Sequence, residues 1–270
     1  MGMSLATELQ VFAGICIFIL GLCVGSFLNV CIYRIPLEKS VVSPPSSCPE
    51  CNTRLTARDL IPVLSYISLK GRCRYCKAGI SARYPLIELL TGLVYLAVYL
   101  KYSLSVETLA LLYLFSILLA VMFIDLKHMI IPNGLVLLGM AGGALIIVYN
   151  LFTPFSLYQP SRWYTPLIGM VSASGILFAI ALVGLLIYGN DGAMGMGDVK
   201  LFIPIGMFLG WKLALLSLFI AVMLGGITSI LLLVLKIVKR KSAIPFGPFI
   251  VVGTFIAALA GYDILSWYFL

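Results

Sequence analysis

Charged residues are scarce in this sequence of 270 residues. Asp, Glu, Lys and Arg together make up only 10% of the chain, whereas hydrophobic residues make up 62%. Soluble domains carry roughly 25% charged residues, so the composition excludes a soluble globular protein. Apolar runs long enough to cross a hydrocarbon core of about 30 Å recur along nearly the whole sequence. We therefore expect an all-α polytopic membrane protein.

These apolar runs accommodate about eight transmembrane helices. No basic residue precedes Arg34, so the first helix lacks the positive segment of a cleaved secretory signal and should remain as an anchor. The sixth predicted helix is short for a span. The predicted helices cover residues 9–33, 84–100, 105–126, 130–149, 165–189, 198–211, 213–237 and 246–268.

Basic residues are distributed unevenly between the two sides of the predicted membrane. Nine of the 18 lie in one loop from Arg34 to Arg83, which the positive-inside rule assigns to the cytosol. If each later predicted helix crosses the membrane in turn, six more basic residues lie on the cytosolic side and only Lys101, Arg162 and Lys212 lie on the outer side. Both termini are then expected outside. The net charge of +8 reflects topology and contact with anionic lipid, so we expect no nucleic-acid partner.

Four of the seven cysteines lie in the only polar insertion of any size, residues 34–83. Cys48 and Cys51 form one C-x-x-C pair, and Cys73 and Cys76 form a second pair after 21 intervening residues. Two residues between cysteines let both thiolates reach one ion, and four thiolates complete the tetrahedral shell of structural zinc. Disulfides and unligated thiols are the alternatives, and a reducing cytosol disfavours the disulfides. The pattern predicts a structural zinc ion.

The other three cysteines, Cys16, Cys23 and Cys31, lie in the first predicted helix. A free cysteine behaves as a small hydrophobic side chain that is usually buried. We expect these three to be buried residues of the helix and not metal ligands.

Carboxylates within or beside membrane spans are costly, so each is a candidate for function. The candidates are Glu88, Asp125, Asp191, Asp198 and Asp263. Asp125 ends the third predicted helix, and the chain turns back within about six residues into the fourth. Asp198 opens the sixth, which also starts on the cytosolic side. These two aspartates are therefore expected at one membrane depth.

Each of these aspartates also has a simpler explanation. Asp198 could cap a helix, and Asp125 could be an interfacial charge beside Lys127. As a pair they predict an aspartic dyad, in which one carboxylate takes a proton from water and the other donates one to an amide carbonyl. Gly195 and Gly197, which lack Cβ atoms, would let a substrate strand or the other helix approach Asp198 closely. Composition alone does not choose Asp198 over Asp191.

Several separate motifs make the chain resemble the bacterial prepilin peptidases, which are membrane aspartic proteases of the G-x-G-D type. They run nearly from end to end and stand in the right order. The paired C-x-x-C motifs belong to this series, and the others are GSFLNVCIYRIP (25–36), ISARYPLIELLTG (80–92), IDLKHMIIPN (124–133), GMGDVKL (195–201) and IPFGPF (244–249).

The resemblance implies that Asp125 and Asp198 are catalytic, in the bacterial inner membrane with the dyad facing the cytosol. It implies cleavage of the basic leader from type IV prepilins or type II secretion pseudopilins, followed by N-methylation with S-adenosylmethionine. The cysteine loop is characteristic of the branch with both activities. Lys127 stands where relatives often carry an acidic residue, which would affect the acidity of Asp125. No nucleotide fingerprint supports the methylation from the residues themselves.

The expected organisation has three parts: a first transmembrane helix (1–33), a cytosolic four-cysteine domain (34–83) and a transmembrane peptidase core (84–270). Glu88 could line the site or have a buried, hydrogen-bonded role, and Lys200 could line the site or be solvated. A peptidase without methylation remains an alternative, as does an assembly scaffold whose cysteine loop docks other components. An ion-coupled transporter is disfavoured because the aspartates lie toward one face and no convincing repeat is present.

Overall fold

The computed structural model describes residues 5–159, 162–189, 195–239 and 242–269. Within these ranges the chain is helical apart from loops and two isolated bridges of extended backbone, which confirms the all-α prediction. Short 3-10 turns cover Ile35–Leu37 and Ala57–Leu60. The helices are α1 (Leu5–Arg34), α2 (Leu64–Ser68), α3 (Arg83–Tyr102), α4 (Val106–His128), α5 (Asn133–Phe152), α6 (Thr165–Tyr188), α7 (Met196–Val234) and α8 (Gly247–Phe269).

Among the described residues, seven helices are long and apolar enough to cross a membrane, namely all except α2. The count is seven instead of the eight expected because the predicted helices 198–211 and 213–237 are the two arms of one continuous segment, α7, which is broken at Gly210. At 1.5 Å per residue a straight helix of 39 residues would be about 58 Å long, nearly twice the hydrocarbon thickness. Gly210 resolves the mismatch, since its φ of 70° and ψ of 174° lie outside the helical region.

The two arms of α7, residues 196–209 and 211–234, fold back on each other at Gly210. Asp198 in the first arm interacts electrostatically with Asp125, whose carboxylate accepts a hydrogen bond from the first residue of α8. Gly225 in the second arm lies beside Phe246, also at the start of α8. In a straight helix residues 198 and 225 would be about 40 Å apart. The positive φ of Gly210 therefore produces a reversal between the arms.

The chain forms two compact units, Met1–Thr108 and Leu109–Leu270. In the first unit, α1 and α3 run antiparallel at very short distance. A Cβ added to Gly21 would lie 2.7 Å from Cα of Gly92, and one added to Gly25 would lie 2.7 Å from Cα of Glu88. Only glycine allows this approach, and small residues are the usual means by which helices pack tightly in membranes.

A polar side chain adds to the contact between α1 and α3. Asn29 Nδ2 donates to the carbonyl oxygen of Tyr84 at 3.1 Å, which is the kind of interhelical hydrogen bond that membrane helices use.

The prediction for the α1 cysteines is right for one residue and wrong for two. Cys31 is buried, whereas Cys16 and Cys23 are exposed on the outer face of the helix. That face is available to lipid, where a small apolar side chain costs nothing.

In the second unit α4 is the central helix, and nearly every residue from Leu111 to Ile124 is buried. A helix that is hydrophobic on all sides is expected at such a position. Phe115 packs edge-to-face against Phe255 of α8, with ring centroids 5.5 Å apart. The Tyr113 hydroxyl donates to a carbonyl oxygen of α5 at 2.6 Å. These two contacts pack the first half of α4 against α5 and α8.

Candidate functional site

Asp125 lies in the last turn of α4, and its side chain is buried. Its Oδ2 accepts a hydrogen bond from the backbone N–H of Gly247 at 2.8 Å. A Cβ on Gly247 would lie 2.7 Å from the same oxygen, so the contact requires glycine. The IPFGPF motif that contains Gly247 was part of the family resemblance, but it predicted no contact for this residue. The motif provides a backbone donor for the carboxylate.

Asp198 lies in the first turn of α7 and is half-buried. Its backbone N–H donates to the carbonyl oxygen of Gly195 at 3.1 Å, which turns the chain into the helix. Its carboxylate lies close enough to Asp125 to interact electrostatically. The structure thus brings together two carboxylates that are 73 residues apart in the sequence.

The two glycines beside Asp198 have different surroundings. A Cβ on Gly197 would lie 3.0 Å from Cβ of Ile131, so this glycine lets the turn between α4 and α5 pack against α7. Gly195 is exposed, and the nearest atom to a Cβ there would be Oδ2 of Asp198 at 3.4 Å. Among the described residues, no other atom lies within 4 Å of that position, so these residues leave the space beside the carboxylate open at Gly195.

Lys200 lies directly after the first turn of α7, two residues after Asp198. Its Nζ donates to Oδ1 of Asn133 at 3.3 Å, and Asn133 is the first residue of α5. The bond ties the start of α7 to the start of α5. It gives Lys200 a defined partner beside the carboxylate pair.

Two further carboxylate candidates were Asp191 and Asp263. Asp191 lies outside the described residues. Asp263 lies in α8, 16 residues after Gly247, which places it about 24 Å along the helix from the Asp125 contact.

Glu88 belongs to the first unit and is buried in α3. Its Oε2 accepts the backbone N–H of Val63 at 2.7 Å, and it also hydrogen-bonds the Ser26 side chain on α1. The structure thus gives Glu88 partners in the cysteine insertion and in the neighbouring helix.

The two C-x-x-C pairs form turns of the same construction. The Cys48 N–H donates to the carbonyl of Thr53 at 3.0 Å, and the Cys73 N–H donates to that of Ala78 at 2.8 Å. In each turn the residue after the second cysteine has a positive φ, 54° at Asn52 in the first and 63° at Lys77 in the second. Two matched turns face each other with their thiols inward.

The sulfur positions fit a tetrahedral metal ion. All four Sγ atoms of Cys48, Cys51, Cys73 and Cys76 lie within 4.8 Å of one another, and those of Cys48 and Cys76 are 3.8 Å apart. In a tetrahedral site with metal–sulfur bonds of about 2.3 Å, the sulfur atoms are about 3.8 Å apart. None of the four is in a disulfide. The cluster could therefore hold a metal ion.

The thiols of the cluster differ in acidity. The Thr53 hydroxyl, 3.3 Å from the Cys51 sulfur, and the Thr53 N–H lower the pKa of Cys51 to about 6. A backbone N–H at Ala78 favours the Cys76 thiolate, but burial and the three neighbouring thiols outweigh it and raise the pKa of Cys76 to about 12. Thiolates this close together repel one another, and a cation bound among them would offset that repulsion.

Asp59 joins the two halves of the insertion. Its carboxylate accepts hydrogen bonds from Arg74 Nε at 2.6 Å and from the Tyr75 hydroxyl at 3.1 Å, both within the second C-x-x-C turn. It also accepts the Thr56 N–H at 3.0 Å. The Arg74 guanidinium holds the pKa of Asp59 well below its usual range. The second turn is thus anchored to the linker that precedes it.

Two family models match the chain, and together they cover most of it. Residues 19–102 match the Bacterial Peptidase A24 N-terminal domain. Residues 112–230 match the Type IV leader peptidase family. The first match contains the cysteine cluster and Glu88, and the second contains Asp125 and Asp198.

The chain is also similar to curated proteins named prepilin leader peptidase/N-methyltransferase. The one from Aeromonas salmonicida (strain A449) is 36% identical, over 93% of this chain and 92% of the relative. The one from Bacillus subtilis (strain 168) is 33% identical, over 93% and 96%. The one from Pseudomonas aeruginosa is 32% identical, over 94% and 92%. No solved structure matches the chain.

Proposed function

The chain belongs to the type IV leader peptidase family, and we propose that it removes the leader peptide from prepilins and then methylates the new N-terminus. It is an integral membrane protein, which we place in the bacterial inner membrane. Its substrates would be type IV prepilins and type II secretion pseudopilins. The observation that carries the cleavage step is the pairing of Asp125 with Asp198 at one end of the helices.

We assign the cleavage chemistry to these two carboxylates. Neighbouring carboxyl groups do not readily ionise together, so one enters the reaction protonated. The ionised carboxylate takes a proton from a water molecule as the water oxygen attacks the amide carbon. The protonated group donates to the carbonyl oxygen and then supports departure of the amine. The proton taken from water ends on the leaving nitrogen when the C–N bond breaks.

The surroundings of each aspartate suit it to this role. The Gly247 N–H, 2.8 Å from Oδ2 of Asp125, fixes the direction of that carboxylate. The exposed position at Gly195 leaves space beside Oδ2 of Asp198, where an extended peptide could approach. Lys200, tied to Asn133, would line the site without entering the proton transfers.

The topology supports the choice of substrate. A prepilin has a basic leader in the cytosol and an apolar helix in the membrane, and the cut lies at their junction. We place residues 34–83 and both aspartates on the cytosolic side and both termini outside, because 15 of the 18 basic residues then face the cytosol. The carboxylates would meet the junction at the membrane face. We keep the division into residues 1–33, 34–83 and 84–270 as part of this proposal.

Methylation follows from the names of the relatives, and S-adenosylmethionine is the donor that we propose. A cavity of about 520 Å³ at the end of α7 is lined by Leu233, Val234, Lys236, Val238 and Lys239. Its described lining residues include no carboxylate or aromatic ring that could contact a sulfonium, so they do not fit the donor. We assign no residue to the methyl transfer.

We propose zinc as the ion of the cysteine cluster, held by Cys48, Cys51, Cys73 and Cys76. Four thiolates leave no open position, as in structural zinc sites. The ion would join the two matched turns and stabilise an insertion too small to fold on its own.

Separate Asp125→Asn and Asp198→Asn variants test the dyad. Asn has nearly the same shape but cannot exchange a proton as a carboxyl group does, so cleavage of a prepilin in membranes should fall by about 10²-fold or more. Asp263→Asn on α8 is the matched control and should cleave at the normal rate. Cleavage at the control rate by either dyad variant would remove that aspartate from the mechanism.

A further inference from the structure

An apolar run of ten residues, LIPVLSYISL (60–69), lies inside the polar insertion between the two C-x-x-C turns. Its large side chains are not packed inside the protein. Leu64 and Ile67 in α2 are 65% and 64% exposed, and Leu60 and Ile61 just before it are 42% and 45% exposed. Leu64 and Ile67 are three residues apart and so share one face of the helix. A contiguous apolar surface of this kind normally has a partner.

The hydrogen bond to α3 fixes the depth of this segment. The Val63 N–H donates to Oε2 of Glu88 at 2.7 Å, and Glu88 lies five residues after Arg83, the first residue of α3. The 20 residues of α3 span about 30 Å, which equals the hydrocarbon core. Five residues correspond to about 7–8 Å along the helix. Interfacial helices lie about 5–10 Å into the boundary between headgroups and acyl chains.

The backbone around Val63 is shaped to make this bond. The Leu64 N–H donates to the carbonyl of Pro62 at 2.6 Å, which closes a γ-turn with Val63 at its centre. Val63 has φ 61° and ψ −50°, a strained conformation for a β-branched residue. Such strain persists only where the surroundings hold it. The buried Glu88 carboxylate is the group that holds it here.

Basic side chains follow the apolar run directly. Lys70, Arg72 and Lys77 line a cavity of about 370 Å³ with Leu69 and Cys73. In the part of the chain that the structure describes, these three cations have no hydrogen-bonded or ion-paired acidic partner. Basic residues beside an apolar interfacial segment match the anionic headgroups of a bilayer.

We propose that residues 60–69 are a membrane-surface anchor of the cysteine domain. Leu60, Ile61, Leu64 and Ile67 insert into the leaflet that faces this domain. The bond from Val63 to Glu88 sets the depth of insertion, and the three basic residues bind anionic lipid headgroups. The domain is thereby attached to the bilayer through its own surface as well as through the ends of α1 and α3.

Tryptophan fluorescence of the full chain in vesicles tests this anchor. The three native residues Trp163, Trp211 and Trp267 are replaced by Phe, and Ile67→Trp provides the probe. Glu50→Trp, at an exposed site of the same domain, is the matched control. Lipids brominated near the top of the acyl chain should quench the probe at 67, and aqueous acrylamide should quench the control. Leu64→Trp repeats the measurement if the first variant does not fold.

Two results would overturn the anchor. Equal quenching by acrylamide at positions 67 and 50 would place the segment in water. Protection of position 67 from both quenchers would mean that protein covers it. Glu88→Ala should cause a loss of lipid quenching at position 67, while Glu88→Gln, which keeps an acceptor oxygen, should retain it. Unchanged quenching in Glu88→Ala would show that Glu88 does not set the depth.

The headgroup contact is tested with the same probe in two kinds of vesicle. Lipid quenching at position 67 should be stronger with phosphatidylglycerol present than with phosphatidylcholine alone. Combined Lys70→Gln, Arg72→Gln and Lys77→Gln changes should remove that difference. Equal quenching of the parent protein in both vesicles would overturn the role of the three basic residues.

Discussion

At the scale of single residues, Asp125 and Asp198 are held in different ways. Asp125 is buried and accepts a backbone N–H from the start of α8. Asp198 is half-buried beside the exposed Gly195. One carboxyl group is thus fixed by a backbone hydrogen bond, and the other lies beside an exposed glycine among the described residues.

Gly247→Ala tests whether the contact to Asp125 matters for cleavage. The new Cβ would lie 2.7 Å from Oδ2, so the carboxylate or the start of α8 must shift. A displacement of about 1 Å in a catalytic group can cost roughly 10²-fold in rate, and we expect a loss of that order in kcat/KM for prepilin cleavage.

Gly134→Ala is the control for this substitution. Gly134 lies at the start of α5, and a Cβ there meets no atom within 4 Å, so this variant should cleave normally. Normal cleavage by Gly247→Ala would mean that the glycine contact does not position Asp125.

At the scale of the elements, the break in α7 places Asp198. The first arm is too short to span the membrane fully, and it returns through Gly210 into the second arm. Gly210 lies beside Thr165 and Tyr158, and the Tyr158 hydroxyl donates to the carbonyl of Met207. The reversal is therefore packed against Tyr158 and Thr165, and the first arm carries Asp198 at its free end.

Gly210→Ala should destabilise the protein. The φ of 70° with ψ of 174° belongs to a region that is nearly exclusive to glycine, and an alanine there costs about 1–3 kcal/mol. Thermal unfolding in detergent should show a lower midpoint than for the parent protein. Gly226→Ala in the second arm, where a Cβ meets nothing within 4 Å, should unfold like the parent. An unchanged midpoint for Gly210→Ala would contradict a reversal that requires the backbone conformation of glycine at residue 210.

The cysteine domain provides a second test at this scale. Protein purified without chelator should contain one zinc ion per chain, and Cys51→Ser should lose it because three thiolates leave the tetrahedral shell incomplete. Elemental analysis measures the content. Cys16→Ser in α1 is the matched control and should retain the metal. Equal zinc in both variants, or none in the parent protein, would contradict the site.

At the scale of the whole molecule, the parts predicted from sequence are those encoded by local pattern. Apolar runs predicted the membrane helices, and the C-x-x-C spacing predicted the cysteine cluster. Each of these patterns is formed by residues that are close together in the sequence. The break between the predicted helices 198–211 and 213–237 was also predicted, and the structure has it at the single non-helical residue Gly210.

The features that sequence reasoning missed are contacts between distant segments. The bond from Gly247 to Asp125 joins residues 122 positions apart, and that from Val63 to Glu88 joins residues 25 apart. Packing decides which segments meet, and periodicity within one segment carries no information about it. The apolar run at residues 60–69 was also missed, although it could have been recognised in the sequence because it interrupts a polar insertion.

The central claim is that this membrane protein cuts a prepilin with an aspartic dyad and methylates the product. The most direct measurement is mass spectrometry of a prepilin incubated with the purified protein in lipid and with S-adenosylmethionine deuterated at its methyl group. We predict a product that lacks the leader and carries one deuterated methyl group at its new N-terminus, and an uncut substrate with Asp198→Asn. A substrate left intact by the parent protein, or cut equally by Asp198→Asn, would contradict the account.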